Sequence, residues 1–306
     1  VPVPEQAGVS NTTVTMNAAS MNNSGFEFSA TYRNRDRDFK YELSANLSTL
    51  RNRVTSLGFG TDSYISGAYI TNVGQEIGQF YGWAYEGIAR TQEDLDNHAT
   101  QEGAQIGDCL YKDISGPDGK PDGKVDANDQ VVLGSGMPKI HFGLNARFEY
   151  KRFDLSIATF GALNYHVSDD IYNSLNSCYG WGNKEVGMLD ANRFSEDGST
   201  YLSNVPRTYV TNSASLGWND LFSSRKIQNA AYWKIANVEL GYNFPDKWFG
   251  KYVSDVRFYV SAQNLHTFTG YHGYNVDYAG GTFTPGYNFC SYPTARTFMC
   301  GVHFTF

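Results

Sequence analysis

The last eleven residues, Arg296 to Phe306, read R-T-F-M-C-G-V-H-F-T-F. Phe298, Cys300, Val302, Phe304 and Phe306 share one face of an extended chain, and Thr297, Met299, Gly301, His303 and Thr305 share the other. A strict two-residue period with an apolar face marks a β-strand. A closing strand with a terminal aromatic is unusual in soluble proteins and common in outer-membrane barrels, where the last strand pairs with the first so that no edge is left open. Phe306 is accordingly the expected closure residue, with Phe298, Val302 and Phe304 toward lipid and His303 toward the lumen.

The same alternation recurs upstream. Over residues 25–33 it sets Phe26, Phe28, Ala30 and Tyr32 against Glu27, Ser29, Thr31 and Arg33. It continues over 39–49, 139–150, 153–157, 236–244 and 256–263, with two weaker strands, 68–73 and 78–87, flanking Gly74. That makes nine expected strands. The longer runs approach the roughly 9–11 residues that cross a bilayer, against an average of about five or six in soluble sheets. The polar faces carry Glu27, Arg33, Glu42, Arg147, Glu149, Asp154, Glu239, Arg257 and His303, a pattern suited to a watery lumen. Such charges most simply form a salt-bridged wall, with direct substrate contact as the alternative. Connections alternate between short (35–38, 74–76, 151–152, 245–255) and long (58–66, 90–138, 164–225, 267–295). Short turns then face the periplasm, long loops face outward, and the C-terminus is periplasmic. Residues 1–23 read as an extracellular loop and 24–306 as strands and loops of one all-β, antiparallel transmembrane barrel portion. An odd strand count with an external start points to a longer protein, with its signal peptide upstream.

Composition sets the bounds. The chain has 306 residues and 41% hydrophobic content, with no apolar run of the ~20 residues a membrane helix needs. A barrel escapes that test because only alternate residues meet lipid. Aromatics reach 15%, with 22 Tyr and 20 Phe, which suits interfacial girdles and also suits a carbohydrate-binding sandwich. Net charge is −7 without a basic stripe, which argues against nucleic acid. The four cysteines show no C-x-x-C spacing; Cys178 with Cys290 is the one loop disulfide considered. The histidines form no H-x-x-x-H pair, no nucleophile or phosphate motif occurs, and Asp169–Asp170 reads as a solvated acidic pair, so no catalytic residue is designated.

Several motifs occur in order: Gly78-Gln-Phe-Tyr-Gly-Trp, the acidic run Tyr111-Lys-Asp-Ile-Ser-Gly-Pro-Asp-Gly-Lys-Pro-Asp-Gly-Lys-Val-Asp, Phe153-Asp-Leu-Ser-Ile, Ala231-Tyr-Trp-Lys-Ile-Ala-Asn-Val-Glu-Leu-Gly-Tyr, Tyr259-Val-Ser-Ala-Gln-Asn-Leu, and Arg296-Thr-Phe. Together, from about Asn23 to Phe306, they resemble the C-terminal part of SusC-like (SusC/RagA-type) TonB-dependent outer-membrane transporters. The resemblance implies a 22-stranded barrel with an N-terminal plug and TonB box, neither within these residues. It also implies a SusD-like surface lipoprotein partner, energy delivered through TonB, and import of oligosaccharides or, in some members, peptides. A dimer of SusC–SusD pairs is a further expectation, and outer-membrane lipid the surrounding solvent. The alternatives are a secreted carbohydrate-binding β-protein and, less supported, a two-carboxylate glycoside hydrolase.

Two constellations stand out in the loops. Asp118, Asp122, Gly123, Asp126 and Asp129 match positions 1, 5, 6, 9 and 12 of an EF-hand-like loop, with Lys120 where a ligand is wanted and Asp113 as substitute. Calcium, in a structural role, is the expected cofactor; a solvated acidic loop with Asp–Gly turns is the plain alternative. Tyr165, Tyr172, Tyr179, Trp181, Trp218, Tyr271, Tyr274, Tyr278 and Tyr287 are the expected substrate or partner aromatics, since ring faces stack on sugars; loop self-packing uses the same residues.

Overall fold

A computed structural model describes residues 19–178, 182–208, 217–245, 248, 253, 255–277 and 280–306. Its dominant element is a seven-stranded sheet: β1 (Glu27–Asn34), β2 (Phe39–Thr49), β3 (Ile140–Tyr150), β4 (Phe153–Leu163), β5 (Tyr232–Asn243), β6 (Asp255–Thr269) and β7 (Thr297–Thr305). Every pair is antiparallel, and spatial order follows chain order from β7 back to β1. β3 and β4 are joined by two residues, with Lys151 in the left-handed region (φ 54°) that tight hairpin turns require.

The register lines up the two faces across the whole sheet. Tyr32, Leu43, Ala146, Ile157, Val238, Ala262 and Phe298 form one row through all seven strands, and every member is apolar or aromatic. One residue along, Arg33, Glu42, Arg147, Ser156, Glu239, Ser261 and Met299 form the next row, on the opposite face. The apolar face is uncovered: Phe28, Leu47, Leu144, Leu240, Val260 and Phe304 are all exposed. Aromatics gather toward its two ends. Phe153 packs on Tyr242 at 4.8 Å and Phe39 on Phe148 at 6.0 Å near the short turns, and Trp233 stacks on Phe268 at 5.4 Å near the long connections. A broad apolar band between aromatic rims is what lipid contact asks of a sheet.

The sheet has seven strands, not the nine expected. The segments flanking Gly74 form a separate four-stranded sheet from Ser63–Ser66, Tyr69–Asn72, Gln79–Trp83 and Gln130–Ser135. Tyr69–Asn72 and Gln79–Trp83 are only four and five residues long, with Tyr69, Ile70 and Phe80 buried. They are too short to cross a bilayer and carry no lipid-type face. The miscount involves one hairpin, so every remaining strand keeps its expected direction. Two boundaries also move. Ser20–Ser24, read as loop, is a strand paired with Arg51–Ser56, and it continues the β1–β2 ladder past a bend at Gly25. A Cβ on Gly25 would sit 1.8 Å from the Thr49 carbonyl oxygen, so only glycine allows that approach. In β5 the ladder skips Ala236, which lies between Ile235 and Asn237 at a bulge; the apolar face passes from Val238 to Ile235 and Trp233.

The long connections (residues 50–139, 164–231 and 270–296) fold on one another into a cap at their end of the sheet. One core joins wall residues Ala162 and Tyr232 to Tyr165, Val167, Ala230, Tyr271 and Val276. A second gathers Cys109, Tyr111 and Val125, with Trp83, Tyr85 and Trp218 against them. Ala162 and Tyr232 lie on the polar side of the register, so the cap bends over that face.

Candidate functional site

The polar face is an ion-paired surface. Arg257 of β6 reaches Asp154 of β4 at 2.5 Å and Glu239 of β5 at 2.8 Å. Gly241 stands between these strands in register, and a Cβ there would lie 2.4 Å from the guanidinium and 2.5 Å from the carboxylate. The glycine makes the pair geometrically possible. Arg33 and Arg35 meet Glu42 at 2.8 and 3.5 Å, and Arg147 meets Glu149 at 3.2 Å. His303 stands opposite Arg257, on this face as expected, and Glu27 opposite Ser48. The expected lumen-facing residues thus share one side, and most of their charge is neutralised within the wall.

The cap is held by buried polar nodes. Asp169 caps the helix Asp170–Leu175 through the Tyr172 amide (2.9 Å) and accepts hydrogen bonds from the Tyr271 hydroxyl and from Asn288 (3.0 Å). Asn288 also donates to the Tyr271 oxygen at 2.8 Å. Burial, and then hydrogen bonding to Asp169, push the Tyr271 hydroxyl well above its ordinary pKa, which keeps it a donor. Asp169, read from sequence as solvated, is therefore a buried junction of two connections. A second node centres on Asp108, which accepts Arg207 at 2.5 Å and Asn219 at 2.7 Å. Nothing in the local sequence marks either node, because their members are about a hundred positions apart.

These nodes absorb much of the expected aromatic set. Tyr165 and Tyr271 are buried core, and the Tyr165 hydroxyl donates to the Val276 carbonyl at 2.9 Å. Trp218 is half-buried and donates from its indole to the Glu102 carbonyl at 3.0 Å. Tyr287 donates to Asp170 at 3.2 Å. Tyr274 is exposed, and Tyr172 stacks on His272 at 5.7 Å and 12°. Tyr179, Trp181 and Tyr278 lie outside the described residues. Tyr172 and His272 line a cavity of about 440 Å³ together with Arg225, Gln228 and Asn229. His272 was not singled out by sequence; it completes this ring pair across two connections.

The acidic loop folds back on Asp113, and its carboxylates serve backbone amides. Asp113 accepts from Gly123 at 2.7 Å and from Asp122 at 3.3 Å, and Asp122 accepts from Lys124 at 3.0 Å. Asp126 caps Ala127–Asp129, and Asp118 is exposed at the tip. Asp129 is buried. Burial alone would raise its carboxyl, but amides of Ser115, Asp126 and Ile114 outweigh that and hold it below the usual carboxylate range. Among the described residues no three His, Cys, Asp or Glu side chains converge as a metal site. Cys178 is buried and Cys290 exposed, each a free thiol, so the considered disulfide does not form.

Comparison with known proteins places this geometry. No family model matches the chain. Over its whole length it is 30% identical to TonB-dependent receptor P3 of Formosa agariphila, covering 30% of that protein. Over 97% of its length it is 25% identical to TonB-dependent receptor SusC of Bacteroides thetaiotaomicron, covering 27% of it. Among solved structures, the RagAB peptide transporter superposes with a TM-score of 0.77 at 21% identity, covering all of this chain and 31% of that one. The fold is that of a TonB-dependent receptor barrel wall with its long connections. The chain is homologous from end to end to TonB-dependent receptors, SusC among them, and it spans about 30% of their length.

Proposed function

We propose that this chain supplies barrel wall and outward-facing cap to an outer-membrane nutrient importer. The carrying observation is the seven-stranded sheet with one face largely apolar and exposed and the other ion-paired across strands. That two-sidedness makes sense with lipid outside and a polar lumen inside, and the likeness to TonB-dependent receptors over the whole chain supports it. In this reading the short turns and the C-terminus face the periplasm, and the cap faces outward. β1 and β7 each present an open edge within the described residues, and further strands of a larger barrel would pair with them. A SusD-like lipoprotein is the partner over the cap, as the two-component naming of RagAB suggests, and TonB supplies the energy. The cargo is an oligosaccharide or a peptide. A calcium ion held by the acidic loop would be structural.

Membrane extraction tests this reading. The protein is expected in the outer-membrane fraction, soluble only with detergent. A folded monomer that stays in buffer without detergent would sink it, and would favour the secreted carbohydrate-binding alternative.

A further inference from the structure

The cavity between the Asp170–Leu175 helix and the start of the β6–β7 connection has a chemistry the import reading leaves unassigned. Its wall offers a ring platform, the stacked Tyr172 and His272. It offers a cation, Arg225. The carboxylates around it are already engaged. Asp220 meets Lys226 at 3.7 Å, Asp277 meets Lys234 at 2.6 Å, Asp170 accepts from Tyr287 at 3.2 Å, and Asp169 is held in the Tyr271–Asn288 node. Among the described residues Arg225 has no carboxylate partner; its side chain hydrogen-bonds the Cys178 thiol, which leaves its charge unneutralised.

Gln228 adds an independent sign. Its side-chain oxygen accepts the His272 backbone N–H at 3.0 Å, which fixes the orientation of the amide. The other end, Nε2, must then be the donor, and it is buried without an acceptor. A shielded donor lacking a protein partner is a rare and costly feature in a folded protein, and an oxygen from a water or a ligand would satisfy it. A guanidinium without a carboxylate partner, an amide donor without an acceptor and an aromatic face at one cavity ask for a ligand that has a carboxylate, further oxygens and a flat apolar side. A pyranose ring bearing a carboxylate has all three.

We propose that this cavity is a subsite for an acidic sugar unit of an anionic oligosaccharide, with Arg225 on the carboxylate, Gln228 Nε2 on a ring or hydroxyl oxygen, and the Tyr172–His272 pair beneath the ring. The proposal rests on the import reading and narrows its cargo. A peptide with a free C-terminal carboxylate is the competing occupant; it lacks the ring face that the stacked pair addresses.

The test uses the full-length receptor carrying this chain, in detergent, with trigalacturonic acid as probe and its methyl ester as the uncharged counterpart. Calorimetry is expected to show the acid binding at least tenfold more tightly than the ester. Arg225→Gln should bring the acid down to the ester's affinity and leave the ester unchanged, while Tyr172→Ala should weaken both. Should Arg225→Gln shift the thermal melt, Gln228→Met serves as second variant, with a loss expected for both sugars. Equal binding of acid and ester, or no response to either variant, overturns the proposal. So does tighter binding of a short peptide than of the acid. None of these outcomes touches the import reading, which is decided by extraction and by uptake in cells.

Discussion

In the wall, spatial neighbours are chain neighbours: β3 lies beside β4 across a two-residue turn, and β5 beside β6. In the cap, residues that touch lie far apart in the chain, 111 positions for Tyr165 with Val276 and for Asp108 with Asn219. The wall keeps its charges as partly open ion pairs on one face. The cap buries its charges in hydrogen-bonded nodes. The two regions therefore depend on different things. In the proposed setting the wall answers to its solvent, lipid on one side and water on the other, and the cap answers to the internal satisfaction of a few buried groups.

The largest effect is expected from breaking a cap node. Asp169→Ala leaves the Tyr271 hydroxyl and the Asn288 amide without their acceptor, a loss of about 2–4 kcal/mol. Limited proteolysis should cut the connections at residues 164–231 and 270–296 while the wall remains protected in detergent. Cutting that spreads to the wall would show that the two regions do not separate.

A matched pair in β3 probes the faces. Leu144→Arg should destabilise the protein in bilayers by about 2–4 kcal/mol, as a cation placed against lipid near the middle of a strand. Asn145→Arg, one residue along on the polar face, should stay within about 0.5 kcal/mol. Similar losses from both would mean that the sheet is not two-sided in its native setting.

The Asp129 carboxyl is held below the usual range, so the folded loop binds its proton less well than the unfolded chain does. It therefore contributes stability above about pH 4, and that contribution fades as pH falls toward and below its own lower value. Protection of the Ile114 and Ser115 amides, measured as exchange relative to the unfolded-chain rate at the same pH, should fall in that acid window, and Asp129→Asn should remove the pH dependence. The same variant series separates capped loop from cation loop. With its amides already satisfied by the carboxylates, the loop should hold its shape without calcium, and a structural ion bound there should raise its melting temperature; an unchanged melt with calcium sets the cation reading aside.

The smallest effect is chemical. Cys300 lies in the apolar row opposite Val260, whereas Cys290 is exposed in a connection. A charged maleimide should label Cys290 in intact membranes and Cys300 only after denaturation. Cys109 and Cys178, whose thiols burial pushes up to about 12 and about 11, should resist labelling until the protein is denatured. Ready labelling of Cys300 in membranes would contradict its contact with lipid.

What could be read from the sequence follows the same division. A strand's face is a local property, so the alternation at Phe298–Phe306 and its repeats upstream group His303 with Arg147, Glu239 and Arg257, and the register sets these residues on one face. Alternation misjudged the strands around Gly74 because it reports a face and not what covers it; only their shortness told against the wall. It also missed the step at Ala236, since a bulge leaves the composition unchanged. The cap was hardly legible. Tyr165 and Tyr271 looked like surface rings, and Asp169 like a solvated acid, because what buries them comes from distant parts of the chain.

The Tyr69–Asn72 and Gln79–Trp83 segments are joined as a hairpin and rest outside the wall. A hairpin adds one outbound and one returning segment, so its gain or loss reverses nothing downstream. Elaboration of the outer surface can therefore proceed in such units, each leaving the polarity of the barrel intact. A single extra strand would turn every later side chain's address inside the envelope upside down, the terminal phenylalanine included. Growth by pairs frees the surface to diversify while the route through it is conserved.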